Sequence, residues 1–299
     1  KGDLEDAIFA ADFGDVVDGR APRVYKDAAT FFQNTHPAAQ LRKVVEIVFQ
    51  RLADKKDGGA TLRLSTGFGG GKTHTLIALW HLAQNINDPA IGTELLGAAG
   101  RPTSVTVAAV DAAKAGVPQF AAHGGLKVCS LWGELFFRLG GEKALRALAA
   151  ADDPEASPNE AQVLAAFPKG PVLVLLDELV VYMAKLSDRG QGNLLGFLGT
   201  LMSVVSKRPQ TVLVVTDPAD QRVYAQQAAQ LGSQITAAAV RLDDIFGRKT
   251  SDFDPIGNES ARVIVRRLFD SVDPIAAQKA SAAYHSVFVR LQAEAPGTI

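Results

Sequence analysis

The sequence predicts an α/β protein in which helices cover both faces of a parallel central sheet. Three observations support this prediction. Short apolar strands alternate with helical segments, a glycine-rich loop joins a strand to a long helix, and a later apolar strand ends in two acidic residues. Strands separated by helices pair in parallel, because each connection returns the chain to the same edge of the sheet. The expected architecture therefore has three layers.

The composition is that of a globular protein. The chain has 299 residues, of which 47% are hydrophobic, and this is enough for one large core or two smaller ones. A formal net charge of −1 does not favour a protein that coats nucleic acid. The single cysteine, Cys129, excludes an internal disulfide, and no apolar run approaches membrane-spanning length. We therefore expect a cytoplasmic protein without a membrane partner.

The elements follow one another in a definite order. Apolar residues at helical spacing predict a helix from about Pro37 to Leu52, so residues 1–58 are expected to form a helical N-terminal segment. The third strand is a proline followed by five apolar residues, which is typical of a strand buried on both faces. Residues 59–256 are predicted to be the α/β core and residues 257–299 the start of a helical lid. The predicted strands lie at about 60–65, 103–110, 171–176 and 211–216.

The glycine-rich loop contains the residues that a phosphate site requires. Gly67-Phe68-Gly69-Gly70-Gly71-Lys72-Thr73 ends a strand and begins a helix. Glycines let backbone N–H groups converge on phosphate oxygens, Lys72 can reach the β and γ phosphates, and the Thr73 hydroxyl can bind Mg²⁺. Thr66 occupies the position where the pattern usually has its first glycine. A glycine-rich turn without a ligand is the alternative, but it does not explain lysine and threonine at the helix start.

Two acidic residues at the end of the third strand complete the predicted site. A carboxylate at the tip of a central strand can hold Mg²⁺ through water, and the next carboxylate can orient or deprotonate an attacking water. We therefore predict that Asp177 binds the metal and that Glu178 is the catalytic base. An ordinary boundary between strand and helix is the alternative. The pair favours hydrolysis over storage of nucleotide, and the absence of an Asn-Lys-x-Asp motif argues for ATP over GTP.

Thr216 ends the fourth strand and is followed by Asp217 and Pro218. In ATPases whose catalytic glutamate sits on the neighbouring strand, a polar residue at this position senses the γ-phosphate and helps to place the water. Thr216 is the first candidate for this role and Asp217 the second. The alternative interpretation is a helix N-cap before Pro218.

These motifs resemble those of the additional-strand P-loop ATPases, specifically the AAA+ superfamily. Phe31-Phe32-Gln33-Asn34-Thr35-His36-Pro37, followed by Gly67 to His74, is similar to the bacterial ATPases grouped as domain of unknown function number 499. The resemblance extends from about Tyr25 to Phe269. Members of that family are long proteins, often encoded beside DNA methyltransferases and helicases in suspected phage-defence clusters. The resemblance implies the N-terminal ATPase part of a larger protein, with DNA-modification proteins or helicases as candidate partners.

The resemblance also implies an arginine finger from a neighbouring subunit, and therefore a homo-oligomer or a partner subunit. Arg248 is the expected finger and Arg241 the substitute, because a guanidinium can neutralise charge on the transferred phosphoryl group. His36, before the first long helix, is expected to contact the adenine base. His74, directly after Thr73, belongs to the nucleotide site by position. A structural role is the alternative for both histidines.

Two other functions remain open at this point. One is an ATP-gated switch with slow or no hydrolysis, and the other is a DNA-binding or scaffold module with a P-loop fold. A separate question concerns Arg63, which falls in a strand expected to be buried and therefore needs a carboxylate partner. The sequence does not identify that partner.

Overall fold

The fold is built around a five-stranded parallel sheet. It is seen in a computed structural model that describes residues 11–65, 71–97, 100–216, 232–247, 250–253 and 271–294, with residues 259, 262, 263, 265, 266 and 269. In chain order the strands are β1 (Ala60–Leu64), β2 (Thr106–Asp111), β3 (Ala121–His123), β4 (Leu126–Val128), β5 (Val172–Asp177), β6 (Thr211–Thr216) and β7 (Ser251–Phe253). The order across the sheet is β2-β5-β6-β1-β7, while β3 and β4 form a separate antiparallel hairpin.

One helical layer comes mainly from the first third of the chain. It contains α1 (Phe13–Val17), α2 (Arg23–Lys26), α3 (Ala28–Gln33), α4 (Ala39–Ala53), α5 (Lys72–Gln84) and α6 (Thr93–Leu96). Apolar side chains of α4 and α5 share one core with Leu173 and Leu175 of β5 and with Val212 and Val214 of β6. The predicted helix from Pro37 to Leu52 is therefore present as α4, and its apolar stripe faces the sheet.

The other face of the sheet carries the later helices. These are α7 (Leu131–Leu148), α8 (Glu160–Ala166), α9 (Leu179–Met183), α10 (Asp188–Lys207) and α11 (Gly232–Phe246). They pack against Val172, Val174 and Leu176, the residues of β5 that alternate with those of the first core. Because β5 and β6 are buried on both faces, they read as continuous apolar runs in the sequence. The protein therefore has the three-layer α/β architecture that was predicted.

A last helix, α12 (Pro274–Glu294), follows the sheet. Those of its side chains that the structure describes are exposed, including Ile275 and Tyr284. Within the described part of the chain, no helix is both long enough and apolar enough to cross a lipid bilayer.

Arg63 of β1 has its carboxylate partner on α11. Its Nη2 atom lies 2.6 Å from Oδ1 of Asp243, which is 180 residues later in the chain. The Arg63 side chain is 7% exposed and that of Asp243 is 65% exposed. The ion pair therefore reaches from the buried strand to the surface of the helix that covers it.

The described helices that follow β1 and β6 pack on opposite faces of the sheet. After β1 the chain continues through α5 on one face, whereas α11, the next described helix after β6, packs on the other face. Strands β1 and β6 are neighbours, so the next described helices after two adjacent strands lie on opposite faces of the sheet. In open α/β sheets, ligands bind at such a point, beyond the carboxyl ends of the strands.

Candidate functional site

Polar residues from three elements meet at the carboxyl edge of the sheet. Lys72 and Thr73 begin α5, Asp177 is the last residue of β5, and Thr216 is the last residue of β6. Parallel neighbours end at the same edge of the sheet, so the fold brings these side chains together although they are far apart in the sequence.

The beginning of α5 is the described part of the glycine-rich loop. Thr66, Gly67, Phe68, Gly69 and Gly70 lie outside the described residues. Gly71 is at the N-cap position of α5 with φ of 75°, a left-handed conformation that glycine adopts without steric cost. Lys72 is the first helical residue and is buried. Because α5 begins here, the backbone N–H groups of its first turn lie at this edge of the sheet.

Asp177 is the centre of the contacts at this edge. Thr216 Oγ1 donates a hydrogen bond to Asp177 Oδ1 at 2.5 Å, and Thr73 Oγ1 donates to Asp177 Oδ2 at 3.4 Å. Asp177 is 3% exposed. Burial raises the pKa of its carboxyl to about 7, although the hydrogen bonds from Thr216 and Thr73 act in the opposite direction and Glu178 and Asp111 add to the increase. The structure thus brings together the two residues predicted to bind metal, Thr73 and Asp177.

Glu178 has an unusual backbone conformation. Its φ and ψ are 55° and 36°, in the left-handed region that residues with a side chain adopt rarely and at some cost in energy. Its backbone N–H donates to Thr216 Oγ1 at 3.3 Å. The Thr216 hydroxyl therefore donates to the predicted metal ligand and accepts from the predicted base. Sequence reasoning missed this conformation, and no residue preference signals it.

The donor atoms at this edge suit Mg²⁺ held together with a nucleotide. A hydroxyl and a carboxylate are hard oxygen donors, and Mg²⁺ in phosphate-binding sites takes one or two protein ligands and completes its shell with water and phosphate oxygens. Across the described ranges there is no cluster of three or more His, Cys, Asp or Glu side chains that could hold a metal. Thr73 and Asp177 therefore fit a metal that arrives with phosphate better than a metal held by protein alone.

Asp111 is a further carboxylate at this edge that the sequence reasoning missed. It ends β2 in register with Asp177, and its carboxylate accepts the backbone N–H groups of Gly14 at 3.3 Å and Ala113 at 2.9 Å. Burial raises the pKa of Asp111. The sequence contained a signal for Asp111, because it stands at the end of an apolar run, as Asp177 does. Asp111 attaches α1 to the sheet beside the candidate site.

His74 contacts Thr35 and Phe31, whereas His36 contacts Glu259. His74 Nε2 lies 3.0 Å from Thr35 Oγ1, and its ring centre is 4.5 Å from that of Phe31. His36 Nε2 lies 3.0 Å from Oε2 of Glu259. The structure thus brings His74 beside the first turn of α5 and His36 against the segment that follows the sheet.

A cavity of about 410 Å³ opens next to these histidines. Thr35 and Pro37 form one wall, Phe32 and Ile91 belong to an apolar part, and Arg266 contributes from the segment after the sheet. Because Thr35 also contacts His74, this cavity adjoins the beginning of α5. It is large enough for a flat heterocycle such as a nucleobase.

Of the two predicted finger arginines, the structure describes only Arg241. Arg248 lies outside the described residues. Arg241, on α11, contacts α10, because its Nη1 atom donates to Gln191 Oε1 at 2.6 Å and lies 4.0 Å from Asp188 Oδ1. Among the described residues, those of the cluster around Asp177 come from α5, β5 and β6.

The fold and these contacts define a three-layer α/β protein with a polar site at the carboxyl edge of its sheet. The chain belongs to the DUF499 N-terminal domain family, whose model matches residues 3–241. The matched range includes the glycine-rich loop, Asp177, Glu178 and Thr216, and it ends before Arg248 and Glu259. No curated protein matches the chain.

Proposed function

We propose that this chain is a P-loop ATPase domain of the AAA+ type, which binds ATP with Mg²⁺ and hydrolyses it. One observation carries the proposal. Thr73, at the beginning of the helix after the glycine-rich loop, and Thr216 both hydrogen-bond to Asp177, and Thr216 also accepts the backbone N–H of Glu178. A hydroxyl, a buried carboxylate and an adjacent glutamate in this arrangement suit a nucleotide bound with a metal and an attacking water.

The order of the strands supports the same proposal. Strand β6 lies between β1, which precedes the glycine-rich loop, and β5, which ends in Asp177. In this proposal, β6 corresponds to the additional strand that gives this class of P-loop ATPases its name. Its last residue, Thr216, reaches both acidic residues of β5, as a polar residue in this position is expected to do.

Each residue of the site has a role in the proposed reaction. The N–H groups at the beginning of α5 and the Lys72 ammonium would bind the phosphates, and Thr73 and Asp177 would hold Mg²⁺. The metal, when bound, neutralises charge on the β and γ phosphates. Glu178 would accept a proton from the attacking water, and Thr216 would sense the γ-phosphate and help to place that water. An arginine from a neighbouring subunit, for which Arg248 is the candidate, would complete the site.

The cavity beside Thr35 is the proposed site for the adenine base. Its wall at Thr35 contacts His74, the residue after Thr73, so base and phosphates would lie on adjacent parts of α5. In this arrangement His36 would lie beside the base, because its neighbours Thr35 and Pro37 line the cavity. We also propose that this chain is the N-terminal motor or switch of a larger bacterial protein. That protein would act in phage defence beside DNA-modification proteins or helicases.

The proposal is tested by measuring nucleotide binding and phosphate release on the same preparations. We expect wild type to bind ATP with Mg²⁺ more tightly than GTP and to release phosphate. Lys72→Ala should lose most of its affinity for ATP, whereas Glu178→Gln should bind ATP normally and release phosphate about 100-fold more slowly. Lys207→Ala is the matched control, because Lys207 is an exposed lysine paired with Glu160 on the surface. If wild type fails to bind ATP, the proposal is wrong.

The protein concentration separates the alternatives. Turnover that rises with concentration, and that Arg248→Ala abolishes, supports an oligomeric ATPase. Tight ATP binding with negligible turnover at every concentration would instead indicate an ATP-gated switch. A shift in DNA mobility that weakens with salt and persists in Lys72→Ala would indicate a DNA-binding or scaffold module.

A further inference from the structure

Glu259 connects two parts of the chain that are more than 200 residues apart. Its Oε1 atom accepts the backbone N–H of Ala39 at 2.8 Å, 220 residues earlier, and its Oε2 atom lies 3.0 Å from His36 Nε2. We call this pair of contacts the Glu259 cap. Its hydrogen bond from Ala39 is the first cause of a low pKa, about 2, for the Glu259 carboxyl, and the contact with His36 is the second. The carboxylate is therefore ionised at neutral pH.

The cap supplies what the sequence around α4 lacks. Ala38 occupies the N-cap position of this 15-residue helix and has no side chain that could accept a hydrogen bond from the first turn. A carboxylate from elsewhere in the chain satisfies one of these N–H groups and places negative charge at the positive end of the helix. The beginning of α4 therefore depends on a distant residue for its cap.

Glu259 also links two parts of the chain that line the 410 Å³ cavity. On one side, His36 lies between Thr35 and Pro37, which both line the cavity. On the other side, the backbone carbonyl of Glu259 accepts the N–H groups of Arg262 and Val263, so Glu259 begins the helical turn that leads to Arg266. Arg266 lines the cavity as well. The contact of Glu259 with α4 therefore keeps Arg266 near Thr35 and Pro37.

We propose that Glu259 is a positioning residue for the bound nucleotide. The cap holds Glu259, and with it Arg266, at the cavity, and it thereby slows the dissociation of a ligand whose base lies there. This inference rests on the proposed function, because it takes the ligand to be ATP. Glu259 itself need not touch the nucleotide.

Two substitutions remove the cap from opposite sides. Glu259→Ala removes both contacts, whereas Ala39→Pro removes only the backbone N–H that Glu259 accepts. Proline is well tolerated at the first position of a helix, and Ala38 before it already has an extended conformation, with φ of −54° and ψ of 147°. Glu259→Gln keeps an acceptor for Ala39 and serves as the conservative variant. Arg262→Ala is the control, because the Arg262 side chain is 74% exposed, lies 3.3 Å from Glu259 Oε2, and can be removed while the contacts of Glu259 with Ala39 and His36 remain.

The test is the dissociation rate of a fluorescent ATP analogue, bound with Mg²⁺ and displaced by excess ATP in a stopped-flow instrument. We expect Glu259→Ala to release it about tenfold faster than wild type, the loss of one charge-assisted hydrogen bond and one further contact being of that order. Ala39→Pro should be about threefold faster, while Glu259→Gln and Arg262→Ala should remain close to wild type. Equal rates for wild type and Glu259→Ala would overturn the inference and leave the proposed function intact.

Hydrogen exchange on the nucleotide-free protein tests the cap independently. The Ala39 amide should exchange faster in Glu259→Ala than in wild type, while amides in the middle of α4 keep their protection. Unchanged exchange at Ala39 would overturn the cap even if the dissociation rate changed. If wild type binds no nucleotide, the proposed function fails, and the role in retention fails with it.

Discussion

Asp177→Asn should stabilise the nucleotide-free, metal-free protein. Asp177 is 3% exposed, and burial raises the pKa of its carboxyl to about 7. Asparagine has the same shape, keeps an acceptor for the Thr216 hydroxyl and offers an amide N–H group to Thr73. The substitution therefore removes the cost of a buried negative charge and retains the hydrogen bonds.

The size of the effect depends on pH in a definite direction. Between the ordinary value of 3.8 and about 7, the folded protein holds a proton on Asp177 that the unfolded chain has released. The folded state binds more protons in this window, so wild-type stability falls as pH rises through it. A pKa shift of one unit corresponds to about 1.4 kcal/mol. The shift from 3.8 to about 7 therefore limits the stability advantage of asparagine above pH 7 to about 4 kcal/mol. Partial hydration around Asp177 reduces this advantage, and we expect Asp177→Asn to be more stable than wild type by about 2–4 kcal/mol.

Urea unfolding in EDTA at pH 5.0, 6.5 and 8.0 measures this difference in the free energy of unfolding. The advantage of Asp177→Asn should grow across the series, whereas Asp188→Asn, at a 97% exposed carboxylate, should show the same small effect at each pH. Adding ATP with Mg²⁺ should stabilise wild type and leave Asp177→Asn unchanged, because the variant lacks the metal ligand. An advantage that does not grow with pH would refute the reasoning.

Three further predictions concern stability. Asp243→Ala should lower the free energy of unfolding by about 1–2 kcal/mol, because it removes the Asp243 carboxylate from the buried Arg63, while the exposed Asp244→Ala should cost less than about 0.5. Glu178→Gly should be more stable than Glu178→Ala by about 1 kcal/mol in thermal unfolding, since glycine adopts the left-handed conformation without strain. Burial lowers the pKa of His81, so wild-type stability should fall as pH decreases below 6.5, and His81→Gln should reduce that fall in urea titrations.

Much of the fold could be predicted from the sequence because its elements are strongly patterned. The apolar runs at 171–176 and 211–216 became β5 and β6 with boundaries shifted by no more than one residue. Because both strands are buried on both faces, every position before the last residue of each strand takes an apolar residue or a residue of low polarity, and the run of Val and Leu is unbroken. The hairpin of β3 and β4 was not predicted. Its strands have three residues each, too few for an alternating pattern to stand out.

The candidate site could be predicted in part for a similar reason. Asp177 and Thr216 each end a strand, and parallel strands end at one edge, so their proximity follows from the topology. The partner of Arg63 and the Glu259 cap could not be predicted from the sequence. Each joins residues 180 or more positions apart through side chains that have no local signature. Such contacts depend on how helices pack, which a single sequence does not specify.

The contacts of Thr216 bear on how the site would respond to a nucleotide. Its single hydrogen is donated to Asp177, and a lone pair accepts the N–H of Glu178. A direct hydrogen bond from this hydroxyl to a γ-phosphate would require the bond to Asp177 to break. If Asp177 turns toward a metal, the Thr216 hydroxyl is released and can follow. Binding of Mg²⁺ and sensing of the γ-phosphate would then be one coupled change, and the left-handed backbone of Glu178, held by the same hydroxyl, would be part of it.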